Sequence, residues 1–160
     1  MPRLLACCIL ALLLTFSAQE ALARIPPPAP APQVVVDAQG VAIGGHDAVA
    51  YFTEERAVLG SPDFEHRWNG AVWRFASAAA RDRFAADPES YAPRYGGWCA
   101  WAMSENRLSA GDPGVWRIVD GRLYFNCSPE AQRRWEADRD AAIARGDAYW
   151  ARLRAGDEAR

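Results

Sequence analysis

The sequence predicts an α+β fold, a small single domain with two antiparallel β-hairpins and several short helices, and three observations support this. Asn69-Gly70 and Asp120-Gly121 each separate two short runs of alternating apolar residues, the strongest short-range signal for a hairpin. Helix starts marked by Asp or Ser stand at Asp47, Ser77 and Ser128, and no coiled-coil heptad or internal repeat follows any of them. Seven Trp residues in 160 imply a core built on large rings. Strands interleaved with short helices suit such a core better than a doubly wound sheet or a four-helix bundle.

The chain opens with Arg3, an apolar run from Leu4 to Phe16, and Ala21-Leu22-Ala23, the order of a secretory signal peptide. Residues 1–23 are therefore expected to be a leader cleaved after Ala23. A lipoprotein reading of Leu4 to Cys7 fails because the cysteine stands too close to Met1. The apolar run is too short to span a bilayer. With the leader removed, the expectation is a soluble periplasmic or secreted protein without a membrane span. Residues 24–33 are rich in proline and read as an extended tether, and residues 34–155 as the domain. Cleavage also removes Cys7 and Cys8, leaving Cys99 and Cys127 in a compartment where disulfides form. Net charge is −2, and all 18 basic residues are Arg scattered among acids, which argues against a nucleic-acid surface.

Along the domain, Val34–Asp37 and Val41–Ile43 are β-prone about Ala38-Gln39-Gly40 and predict a short hairpin or bent strand. Asp47 is placed to cap a helix over 48–52. A two-residue turn at Asn69-Gly70 fixes the first hairpin's register, opposing Trp68 to Ala71, Arg67 to Val72, His66 to Trp73, Glu65 to Arg74 and Phe64 to Phe75. His66 thereby falls on an aromatic face. Ser77 caps a helix over 78–86 that stops at Asp87-Pro88, and residues 89–91 add a further turn. In the second hairpin Ile118 opposes Leu123 and Trp116 opposes Phe125, and continued alternation turns Cys127 inward. Ser128-Pro129 opens a helix to about Ile143 with Trp135 buried, and Tyr149, Trp150 and Leu153 suggest a final short helix.

The chemistry centres on Tyr91-Ala-Pro-Arg-Tyr-Gly-Gly-Trp-Cys-Ala-Trp-Ala-Met103. Its Gly-Gly pair allows a tight turn into a helix-compatible run, in which Cys99 and Met103 share a face. The sequence has no dinucleotide-binding glycine motif, P-loop, nucleophile elbow, Cys-x-x-Cys or His-x-x-x-His. The soft or imidazole ligands of the expected domain are His46, His66, Cys99, Met103 and Cys127.

Four blocks in order, residues 43–52, 68–77, 91–100 and 120–126, resemble the secreted bacterial YHS-domain proteins. The resemblance covers residues 41 to about 150. It implies a metal-binding module, since wider relatives accompany copper-transporting ATPases and some oxygenases. It also implies a reactive chalcogen at Cys99, since some members of the secreted branch are described as selenoproteins at the corresponding position. The chain departs from the metal-binding relatives in lacking their closely spaced cysteines near the domain start, where it has His46-Asp47.

Three functions follow as expectations. The first is capture or transfer of a copper ion by Cys99 and Met103 with His46, His66 or Cys127, in exchange with a metal donor or acceptor protein, because thiolate, thioether and imidazole together suit Cu(I). The second is a thiol redox protein with Cys99 as nucleophile and Cys127 as resolving partner. The third is a non-catalytic accessory domain that binds a partner and carries inert thiols. Proximity of the two cysteines favours the second, and convergence of sulfur with imidazole the first.

Overall fold

A computed structural model describes residues 33–156; the predicted leader, and the predicted tether up to residue 32, lie outside them. The two turns of Asn69-Gly70 and Asp120-Gly121 take positive φ at both positions, 50° and 76° in the first and 50° and 71° in the second. This is the turn that matches the twist of paired strands. Strand β1 (Ser61–Trp68) accordingly pairs with β2 (Ala71–Phe75), and β3 (Asp112–Val119) with β4 (Arg122–Asn126), as two separate antiparallel hairpins. Around them, among the described residues, stand six α-helices: α1 (Ala50–Thr53), α2 (Ala78–Ala86), α3 (Pro88–Tyr91), α4 (Ala100–Ser104), α5 (Pro129–Ala137) and α6 (Arg139–Arg154). The α+β class and the two hairpins are as the sequence predicts.

Next to the turns the register also matches, from Trp68 opposite Ala71 to Glu65 opposite Arg74, and from Val119 opposite Arg122 to Trp116 opposite Phe125. Further out the strands bulge. Ser61, rather than the expected Phe64, opposes Phe75, because the ladder shifts between Ser61 and Glu65. The residues inserted there bend the strand, and alternation cannot anticipate them. The segment near Val34, predicted as a short hairpin or bent strand, makes single bridges, Val36 to Ala42 and Val41 to Val72, and the Asp37 carboxylate takes the amides of Gln39 and Val41. Asp47 is buried, and its Oδ1 accepts from Val49 and Ala50. Its Oδ2 accepts from Ala76 at 2.9 Å. The side chain thus joins the start of α1 to the end of β2, and the helix begins at Ala50 instead of Ala48.

Two aromatic clusters form the interior. The first gathers Tyr51, Trp73, Phe75, Phe84, Leu123 and Phe125, with the Phe84 ring of α2 4.9 Å from Trp73 and 5.0 Å from Phe75. The second gathers Tyr95, Met103, Tyr124, Trp135, Trp150 and Leu153. Strand β4 is the wall between them: Leu123 and Phe125 enter the first cluster and Tyr124 the second, so both of its faces are covered. The helix expected from Glu130 to about Ile143 is instead two helices, broken at Asp138 with φ −141° and ψ 47°. Residues Ala142, Gly146, Trp150 and Leu153 then form one buried stripe on α6, so the expected final short helix is part of this longer one. Among the described residues no helix is long and apolar enough to cross a membrane.

Trp73 is fully buried and donates its Nε1–H to the Trp68 carbonyl at 3.1 Å. Trp73→Ala is expected to cost about 3–5 kcal/mol, read as a lower denaturant midpoint. A loss below about 1 kcal/mol would contradict this account of the core.

Candidate functional site

The turn that delivers the central cysteine depends on Gly96 and Gly97, with φ of 63° and 96°. A Cβ on Gly96 would stand 1.8 Å from the Gln33 carbonyl oxygen, so glycine alone lets the two backbones meet. Cys99 follows in extended conformation, φ −63° and ψ 121°, as the N-cap of α4. This is why it does not share a helical face with Met103: the cap residue lies outside the helix, and its side chain folds back on the first turn. Met103 is directed into the second aromatic cluster, while Cys99 packs with Ala102 and Ala131.

The Cys99 sulfur is held from several sides. It accepts the Ala102 amide at 3.5 Å and the Cys127 amide at 3.1 Å, and its thiol faces the Oδ1 of Asn126 at 3.9 Å. The same oxygen accepts the Trp101 amide at 3.1 Å, which fixes the orientation of the Asn126 side chain. Its Nδ2 is buried with no hydrogen-bond partner among the described residues. Asn126 was not singled out in the sequence; its signal is one polar residue closing the otherwise apolar run Leu123-Tyr-Phe-Asn126.

Cys127 does not turn inward as alternation predicts. Strand β4 ends at Asn126, and the chain turns so that Ser128 can cap α5 through the Ala131 amide. Cys127 is therefore exposed, whereas Cys99 has 0% exposure. Both cysteines are free thiols. The N–H contact keeps the Cys127 Cα within roughly 4.6 Å of the Cys99 sulfur by standard bond lengths. The fold thus places one sealed and one solvent-facing thiol side by side.

Burial pushes the Cys99 thiol up to about 11 from an ordinary value near 9, and the adjacent Cys127 thiol adds to the rise. The amides of Ala102 and Cys127 act the other way, by donating to the sulfur. Cys99 is thus protonated at neutral pH, a poor nucleophile but a sulfur with two donors already aimed at it.

The other predicted ligands lie elsewhere. His46 Nδ1 is 3.1 Å from the Ile43 carbonyl, and its backbone bridges to Leu59. His66 is half-buried on β1 with its ring 6.0 Å from Phe84. Among the described residues no three His, Cys, Asp or Glu side chains converge as a metal site requires. Of the five candidates, Cys99 and Cys127 are the two brought together.

Because the folded state holds the Cys99 proton to higher pH than the unfolded chain, the thiol's contribution is fully present below pH 9 and is lost as pH rises through about 11. Its size is about 2–3 kcal/mol. Tyr51, Tyr95 and Tyr124 are also raised, chiefly by burial, and add loss of the same sign from higher pH. In denaturant titrations of reduced protein, Cys99→Ser is expected to show a shallower decline than wild type between pH 9 and 11; parallel declines would contradict a raised thiol.

Compared with family models, curated proteins and solved structures, the chain finds no match.

Proposed function

We propose that this protein is a thiol redox module of the secreted YHS type, working outside the cytoplasm, in which Cys127 enters the reaction and Cys99 resolves it. One observation carries the proposal: the backbone amide of exposed Cys127 donates to the sulfur of buried Cys99 at 3.1 Å, which places the two cysteines side by side. The order of roles reverses the expectation from sequence, and burial is the reason. An external disulfide can reach Cys127 but not Cys99, which has 0% exposure. The leader-like N-terminus and the resemblance of four sequence blocks support the compartment and the family.

The steps balance. The Cys127 thiol loses its proton and attacks one sulfur of an external disulfide, releasing one thiol and forming a mixed disulfide on Cys127. Burial, the main cause of the raised Cys99 thiol, persists, but the smaller contribution of the free Cys127 thiol is then gone, while the amides of Ala102 and Cys127 remain to stabilise a Cys99 thiolate. That thiolate attacks Cys127 Sγ, forms the Cys99–Cys127 bond and expels the second thiol, which takes up the proton. Two electrons pass from the protein to the external disulfide, and the reverse sequence oxidises an external dithiol.

Glutathione disulfide tests the assignment. Wild type is expected to lose the mass of two hydrogens, Cys99→Ser to stop as a single glutathione adduct on Cys127, and Cys127→Ser to stay unmodified. A wild type that gains stable adducts without closing the internal bond, or a Cys127→Ser variant that is glutathionylated on Cys99 as fast as wild type reacts, would sink the proposal.

A further inference from the structure

A second feature, independent of the thiol pair, is a cleft of about 370 Å³ between the β1–β2 turn, the segment after α3, the start of β4 and the end of α6. Its volume is within the range of small-ligand pockets. Three arginines, Arg94, Arg122 and Arg154, are among its lining residues, together with Trp68 and Trp150. Glu89 is the one carboxylate among the lining residues.

The three arginines are not equivalent. Arg94 is clamped by Asp147, through Nε at 3.2 Å and Nη2 at 3.0 Å, and Asp147 is held in turn by the Tyr95 hydroxyl at 3.0 Å. A guanidinium carries five N–H donors, so this two-point clamp fixes Arg94 while leaving the rest of its fork unspent. Arg122 and Arg154 have no ion-pair partner among the described residues. Since Asp147 neutralises Arg94, the lining keeps two cations against the single carboxylate of Glu89. An oxyanion head suits such a group, because guanidinium meets carboxylate and phosphate through paired donors. The indoles define the rest of the ligand: Trp150 is mostly buried and Trp68 half-buried, so they are rigid apolar flanks suited to a flat ring.

We propose that this cleft binds a small anion with a flat apolar body, its carboxylate or phosphate head held by Arg94, Arg122 and Arg154 and its ring by Trp68 and Trp150. The two kinds of head share one chemistry, and the probes separate them.

Naphthoate and naphthyl phosphate supply the ring with each head, naphthol the ring without charge, and acetate and inorganic phosphate the heads without a ring. Calorimetry on the full chain is expected to give saturable binding of at least one charged naphthyl probe, with a dissociation constant of about 1 mM or tighter. The tighter of the two identifies the head. Nitrogen NMR should place the largest indole shifts on Trp68 and Trp150. Naphthol and the two ringless anions should each bind at least tenfold more weakly, and the double variant Arg122→Ala, Arg154→Ala should lose at least tenfold while unfolding at the wild-type temperature. No saturation by either charged probe, equal binding of naphthol or of the ringless anions, shifts confined to other indoles, or full binding by the double variant would each overturn the proposal. Should the double variant unfold early, Arg122→Gln alone, at an exposed strand start, must still weaken binding for the proposal to stand.

Discussion

The contact on which the site depends is the sulfur of Cys99 accepting two backbone N–H groups, from Ala102 and Cys127. One belongs to the first turn of α4 and the other to the junction between β4 and α5, so a single side-chain atom joins two parts of the chain 28 positions apart. An oxygen-bearing cap residue would satisfy the helix start more strongly. Sulfur is the weaker acceptor, and its presence at a sealed cap fits a residue held for its chemistry as well as its packing. Asn126 completes the arrangement, since its carbonyl oxygen faces the thiol and takes the Trp101 amide. The surrounding rigidity comes from β4, which is covered by an aromatic cluster on each face.

In the proposed exchange, burial and proximity divide the work between the two thiols. The same desolvation that keeps Cys99 protonated prevents it from reacting with solvent species, while Cys127 stands in the open. Closing a bond between them would cross-link a loop of 28 positions, a constraint worth about 3–4 kcal/mol in the chain-entropy treatment. The oxidised form would then be the more stable one, unless geometry strains the bond. A protein that uses the pair for exchange needs that difference to be small, so the potential of the pair is tuned by how well the fold accepts the closed bond.

Most of the scaffold was legible from local chemistry. Asn69-Gly70 and Asp120-Gly121 set the turn type, and with it the register for the residues nearest each turn. Ser77 and Ser128 capped the helices they were expected to cap. Legibility ended where distant parts of the chain decide the outcome. Ser61 replaced Phe64 opposite Phe75 because a bulge intervenes, and Cys127 left the strand because Ser128 draws the chain into α5. The site was half legible: the sequence marked Cys99 and Cys127, but not which would face solvent. Asn126 could not be placed beside Cys99 without knowing that the chain crosses from α4 to the end of β4. The arginines of the cleft come from three separate segments, a convergence that no spacing along the chain encodes.

The asymmetry of the two thiols is measured most directly by the rate at which each is alkylated in the reduced native protein. Iodoacetamide added at neutral pH, followed by denaturation and labelling with the heavy isotope form, reports both sites in one digest. Cys127 is expected to carry the light label within minutes, while Cys99 carries the heavy label until the fold opens. Light label on Cys99 at a rate equal to or above that on Cys127 would contradict that asymmetry.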